Sequence, residues 1–174
     1  NIKFKSVNTY GKHKKKSERD IFSIYPKSLI IRTNFYCIGN KRRKSFSDTI
    51  IENVRSKIEI GLFKDVYYTP IYGKYLLKYI FALLSKNKSG VFNICSDEKI
   101  SKFNFGMKLC SILNLNKKYI KGICLKKRKD LVKRPLNMAL DNIKFKKNLK
   151  IKVPSINYQL KVMKNDFRKL KNDS

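Results

Sequence analysis

The chain has 174 residues, with 42 Lys and Arg against 12 Asp and Glu, giving a formal net charge of +30. That length can bury a core, and a composition that is 42% hydrophobic and 12% aromatic excludes a wholly disordered chain. Four dispersed cysteines without a C-x-x-C pair and a single histidine, His13, argue against a disulfide scaffold and a histidine-based metal centre, so no metal ligands are expected. Cys37, Cys95, Cys110 and Cys124 are read as buried small hydrophobes in a reducing, cytoplasmic compartment. No apolar run reaches the roughly 18 residues needed to cross a bilayer.

In chain order, residues 10–24 read as a helix with Ile21 and Ile24 as apolar points, ended by Tyr25-Pro26. Ser28-Leu-Ile-Ile-Arg-Thr33 has the β-branched pattern of a strand buried on both faces. Gly39 to Lys44 is a basic loop, and Ser45 to Ser56 a helix with Phe46, Ile50, Ile51 and Val54 on one face. Short strands are expected at Ile58–Ile60 and Val66–Tyr68, then a strongly apolar helix from Ile71 to Ser85. Asn87-Lys-Ser-Gly90 is a turn into a second buried strand, Val91–Cys95. A helix from Ile100 to Leu113, a short strand at Tyr119-Ile120 and a helix from Asp141 to Asn148, with Asp141 as N-cap, come next. Residues 155–170 form a last amphipathic helix with Ile156, Leu160, Met163 and Phe167 inward. Strands alternate with helices, so the class is α/β.

A charge of +30 would ordinarily indicate nucleic acid as partner. The composition argues otherwise: 34 Lys, 16 Asn and 20 Ile share A/T-rich codons, and the 8 Arg are few for a phosphate-gripping surface. The basic runs at 12–16, 41–44 and 126–129 are dispersed, and no helix-turn-helix, zinc-finger or RNA-recognition pattern accompanies them. Specific nucleic-acid binding is therefore the least favoured reading.

Tyr10-Gly-Lys-His-Lys14 is the local pattern with catalytic content. An i,i+4 spacing puts the phenol and the ammonium on one helix face. A free tyrosine ionises near pH 10, and a nearby cation favours the phenolate, which suits proton exchange with a carbonyl or alcohol oxygen. His13, between them, is assigned to the helix surface.

Asn8-Thr-Tyr-Gly-Lys-His-Lys-Lys-Lys-Ser-Glu18 resembles the N-x-Y-G-x-S-K-x-x-G-E active-site helix of the extended short-chain dehydrogenase/reductase family. The likeness continues in order. Leu29-Ile-Ile-Arg-Thr33 resembles the next strand of that family's sheet, Asp65-Val-Tyr-Tyr-Thr-Pro-Ile-Tyr72 its D-x-x-x-[ST]-P-x-[YH] segment, and Ser89-Gly-Val-Phe-Asn-Ile-Cys-Ser-Asp97 its G-x-[FY]-[NH]-[IL] strand. Lys133-Arg-Pro-Leu-Asn-Met-Ala-Leu140 is similar to the R-P-x-[ND]-x-x-L segment of the dTDP-4-dehydrorhamnose reductase branch.

The resemblance implies the C-terminal part of a Rossmann-type parallel sheet plus a small mixed α/β substrate-binding lobe. Residues 1–35 and 66–96 would belong to the NAD(P)-binding domain, and 36–65 and 97–174 to the lobe. Tyr10 would donate a proton to a keto-sugar while NAD(P)H supplies hydride, and Lys14 would favour the phenolate and hold the ribose hydroxyls. Thr33, Asn34 and Phe35 would touch the cofactor, Thr69 would shape the sugar pocket, and Arg134 would bind the substrate's diphosphate. Lys41, Arg42 and Arg43 are read as a solvated loop rather than a second anion contact.

No G-x-x-G-x-x-G occurs in the 174 residues, and nine residues precede Tyr10. The chain is therefore expected to correspond to the C-terminal half of a sugar-nucleotide reductase, with the Gly-rich half as its partner. A homodimer is an option. The 174 residues alone are expected to show no NAD(P)H turnover. An epimerase or dehydratase of the same family, and a non-catalytic remnant or regulatory module, stay open as alternatives.

Overall fold

A computed structural model describes residues 8–39, 43–128, 130–131 and 134–172. Lys41 and Arg42 of the basic loop lie outside the described residues. The first helix, α1 (Thr9–Ile24), starts behind Asn8, whose side-chain oxygen accepts the Gly11 amide proton at 3.0 Å. It buries no residue: Ile21 and Ile24, expected as apolar anchors, are 45% and 84% exposed. Glu18 ties it down instead. Its carboxylate accepts from Arg32 Nε at 2.8 Å and also from Nη2, a bidentate pair.

Arg32 lies on β1 (Leu29–Thr33), which pairs in parallel with β6 (Gly90–Ile94) in the register Leu29↔Gly90 to Thr33↔Ile94. The turn before β6 uses positive φ at Asn87 (49°) and Gly90 (95°), the latter suited to glycine. The expected burial of β1 on both faces is corrected, since all five residues are half-buried. Side chains alternate along a strand. Leu29 and Ile31 reach the apolar cluster of the neighbouring helices, while Arg32 on the other face meets α1, which offers no buried side chain.

β2 (Phe35–Tyr36) pairs in parallel with β5 (Ile71–Tyr72), and β4 (Tyr67–Tyr68) pairs antiparallel with β7 (Ile100–Ser101). Both β5 and β7 were expected as the first turns of helices. Tertiary pairing takes them, so α3 (Gly73–Ser85) and α4 (Lys102–Leu113) each start two residues late, α4 with Ser101 accepting the Asn104 amide proton at 3.0 Å. α2 (Phe46–Arg55) begins with a capping box between Ser45 and Asp48 and buries Ile50, Ile51 and Val54. The strand expected at 58–60 is shifted. Lys57 turns through φ 60° and leaves Ile58 exposed, so β3 is Ile60–Phe63. Its parallel partner β8 is Ile120–Ile123, because Lys117–Tyr119 forms a 3-10 turn rather than strand. A second 3-10 turn, Leu125–Lys127, comes directly after it.

α5 (Ile143–Leu149) begins after Asn142, yet the Asp141 carboxylate accepts the Ile143 amide proton at 2.8 Å and so caps from one residue further out. α6 (Ile156–Asn172) buries Ile156, Leu160 and Met163, while Phe167 is half-buried under the Arg55 guanidinium, 5.0 Å from its ring centroid. Cys95 and Cys110 are buried as expected, whereas Cys37 and Cys124 are half-buried at loop positions. All four are free thiols.

Two apolar clusters result. One joins α3, β6 and α5 through Leu76, Tyr79, Leu83, Phe92 and Phe145. The other joins α2, β3, α4, β8 and α6 around Phe105, whose ring meets Tyr36, Tyr68 and Phe46 at centroid distances of 4.9, 5.8 and 5.9 Å. Gly106 lets α4 approach β3, since a Cβ there would collide with Leu62.

Lys102 enters this second cluster. Its Nζ sits 3.6 Å from the Tyr68 ring centroid and 4.4 Å from that of Phe46, an attractive arrangement for a cation. Burial nevertheless pushes the ammonium down to about 8. In the unfolded chain it ionises near 10.4, so at this one group the native state binds fewer protons between pH 8 and 10, and its cost to the fold shrinks as pH rises there. The buried Cys95 and Cys110 thiols, the latter pushed up to about 11, and the buried Tyr36 and Tyr68 phenols, all raised by desolvation, act in the opposite sense. Urea unfolding should therefore find Lys102→Met more stable than the unaltered protein by about 1–3 kcal/mol at pH 7, with the gap narrowing from pH 8 to 10. Parallel curves for the two proteins over that window would exclude this account.

Candidate active site

Tyr10 and Lys14 stand one turn apart on α1, and the Lys14 ammonium lies over the Tyr10 ring, 5.6 Å from its centroid. Tyr10 is 70% exposed, and Lys14 and His13 are exposed as well. The bidentate Glu18–Arg32 tie fixes this helix to β1, so the pair is placed relative to the parallel β1–β6 sheet.

At the carboxyl end of β1, the Thr33 hydroxyl is shut from solvent and has no hydrogen-bond partner among the described residues. The Asn34 carbonyl accepts the Ile71 amide proton at 2.9 Å, and its Nδ2 donates to the Met138 carbonyl at 2.9 Å. Phe35 is 56% exposed. Asn34 is thus a tie between three segments, with its carboxamide N–H committed to the backbone.

The segment around 136–142 runs along these strand ends and is held by hydrogen bonds. The Tyr67 amide donates to the Leu136 carbonyl at 2.7 Å, and the Met138 amide donates to the Tyr67 carbonyl at 2.8 Å. The Leu140 amide donates to Thr69 Oγ1 at 3.1 Å, and the Leu140 carbonyl accepts from Cys95 Sγ at 3.4 Å. Asn142 Nδ2 donates to the Cys95 carbonyl and to Asp97 Oδ1, both at 2.9 Å. Thr69 is only 3% exposed. X-Pro geometry keeps it extended, and its neighbour Pro70 accepts from the buried Ser96 hydroxyl.

A cleft of about 440 Å³ opens here, lined in part by Thr69, Ser96, Asp97, Lys99, Asp141 and Lys146. Against its desolvation, the Asp97 carboxyl is held below the usual range by hydrogen bonds from Lys146 and Asn142. Thr69 lies on the cleft, whereas Arg134 is exposed ahead of the Leu136–Tyr67 hydrogen bond. Arg43 is exposed at the end of the basic loop.

Sequence reasoning missed Gln159. It is fully buried on α6, accepts the Tyr72 amide proton at 2.7 Å and donates to Ser96 Oγ at 3.0 Å. A lone polar residue on the apolar stripe of an amphipathic helix was the available signal.

Since Thr69 supplies a buried acceptor, Thr69→Val leaves the Leu140 amide unsatisfied without opening a cavity. The variant should lose about 1–3 kcal/mol in urea unfolding. An unchanged midpoint would show that the 136–142 segment is held without it.

The RmlD substrate binding domain model matches residues 3–169. Among solved structures, dTDP-4-dehydrorhamnose reductase from Bacillus anthracis, in complex with NADP, superposes with a TM-score of 0.82 at 22% identity, over 93% of this chain and 57% of that one. A hypothetical dTDP-4-dehydrorhamnose reductase from Sulfolobus tokodaii gives 0.69 at 27% identity, over 84% and 51%. The dTDP-glucose 4,6-dehydratase of B. anthracis, in complex with NAD, gives 0.74 at 14% identity, over 97% and 55%. The chain thus spans little more than half the length of these structures. No curated protein sequence matches. With nearly all of its length matched by that one model, on a Rossmann-like mixed α/β fold, the chain belongs to the RmlD substrate binding domain family.

Proposed function

We propose that this chain supplies the acid–base helix and the substrate-holding lobe of an NAD(P)-dependent reductase acting on a nucleotide-linked keto-sugar. The observation that carries the reading is the Tyr10–Lys14 pair, stacked on one face of a helix that is itself tied to the parallel sheet. The greater likeness to dTDP-4-dehydrorhamnose reductase than to the dehydratase supports reductase chemistry over dehydratase or epimerase chemistry.

In this reading Tyr10 donates its phenolic proton to the ketone oxygen and regains one from solvent. Lys14 holds the phenol's electrostatic environment cationic and offers donors to ribose hydroxyls. Thr33, Asn34 and Phe35 would hold the nicotinamide end of the cofactor. The unsatisfied Thr33 hydroxyl and the exposed Phe35 ring at the strand end fit a ligand that is planar and polar-edged, and Asn34 shapes the backbone there. A nicotinamide held at that place would supply the hydride for the carbonyl carbon. Thr69 walls the sugar pocket through the segment it holds, and Arg134 contacts the diphosphate, for which its guanidinium fork is suited. The Gly-rich pyrophosphate cradle would come from the complementary half, and residues 1–35 and 66–96 would form the sheet part of the cofactor domain. The reading places the enzyme in the cytoplasm. Among the described residues no helix is long and apolar enough to cross a membrane.

The test combines the chain with a Gly-rich NAD(P)-binding half from a relative and follows NADPH oxidation with dTDP-4-dehydrorhamnose. Tyr10→Phe should slow turnover by about 10²–10⁴-fold while nucleotide-sugar binding persists. Equal rates for wild type and variant would remove Tyr10 from the chemistry.

A further inference from the structure

The cleft beside Thr69 contains two lysines with different surroundings. Lys146 Nζ is neutralised by Asp97 Oδ1 at 2.6 Å. Lys99 is exposed and has no carboxylate within ion-pair distance among the described residues. Its ammonium rests over the Tyr67 ring, 5.1 Å from the centroid, which limits the volume a flexible lysine would otherwise sample.

Tyr67 is also the residue on which the Arg134-bearing segment is laid. Its amide donates to Leu136, its carbonyl accepts from Met138, and it bridges Asn137 in parallel. On its other side the antiparallel β4–β7 pairing sets Tyr68 opposite Ile100, and the residues flanking that pair, Thr69 and Lys99, both line the cleft. Tyr67 and the residues directly after it therefore bring together three things: the pocket-wall threonine, the segment that carries the guanidinium, and a cation without a counter-charge.

From this juxtaposition we infer that Lys99 is a specificity-determining residue, a second cationic contact for the phosphates of a nucleoside diphosphate sugar, perched on Tyr67 at the mouth of the cleft. The inference rests on the nucleotide-sugar reading above. It adds a contact from the loop between β6 and β7 to the one expected of Arg134. It also assigns Tyr67 as a positioning residue.

Titration of the 174-residue chain with dTDP-glucose, thymidine and inorganic pyrophosphate, monitored by NMR, tests this. Lys99→Gln should weaken dTDP-glucose and pyrophosphate about tenfold and leave thymidine unchanged. Lys99→Arg should retain most of the affinity, and Tyr67→Leu should reproduce part of the loss while Tyr67→Phe does not. Lys86→Gln, an exposed lysine on another surface, should change affinity less than about twofold, which separates a local contact from the general field of a basic protein. Should Arg134→Ala weaken dTDP-glucose while Lys99→Gln does not, the role of Lys99 is overturned and the nucleotide-sugar reading stands. Equal losses for Lys99→Gln and Lys86→Gln would likewise overturn it. An absence of dTDP-glucose binding by the wild-type chain would overturn both.

Discussion

The arrangement depends on the parallel pairing of β1 with β6. Side by side, these strands end at Thr33 and Ile94 in register, and their carboxyl ends define the edge along which the site is assembled. Open α/β sheets bind ligands at such edges because the loops leaving parallel strands diverge there and expose backbone polar groups. In this chain the segment around 136–142 returns to that edge and is stitched down by polar groups of Asn34, Thr69, Cys95 and Asn142. Each stitch satisfies a backbone group that would otherwise be left without a partner away from water. Site and fold are consequently held by the same hydrogen bonds.

The scarcity of acid gives the carboxylates a second significance. With 12 Asp and Glu in the chain, most of those in the structure are engaged in fixing backbone or elements rather than in offsetting the basic surface. Glu18 ties α1 to β1, Asp48 closes the α2 capping box, and Asp65 accepts the Leu125 and Lys126 amide protons at 2.8 and 3.1 Å. Asp97 binds Asn142 and Lys146, Glu98 accepts the Ile156 amide proton at 2.8 Å, and Asp166 meets Tyr72 and Lys74. A surface set by codon bias can gain lysines almost without limit, whereas carboxylates that carry structural hydrogen bonds are held in place by the stability they confer.

The long periodic elements were legible. The apolar face of α2, the core side of α6 at Ile156, Leu160 and Met163, and the two strands of the parallel pair can be read from spacing alone. The two-residue strands were not. Ile71-Tyr72 and Ile100-Ser101 share the helical periodicity of α3 and α4, and only partners distant in sequence turn them into β5 and β7. Spacing and motif order pointed to Tyr10 and Lys14, but the cleft could not be read in advance, because its lining comes from three separate stretches around Thr69, Ser96–Lys99 and Ala139–Lys146. Gln159 was hidden for the same reason, since a buried glutamine reveals its purpose only through the Tyr72 and Ser96 groups it satisfies.

Helix α1 carries the phenol and the ammonium yet contributes no buried side chain. Its opening is therefore resisted mainly by intrahelical bonds and the Glu18–Arg32 tie, without the area-dependent cooperativity that makes a packed helix melt together with its core. Amide deuteration should consequently be faster in α1 than in the packed helices, by subglobal excursions that leave β1, β6 and the two clusters intact. A surface that docked onto this helix would order the Tyr10–Lys14 pair and exclude solvent from it in a single event.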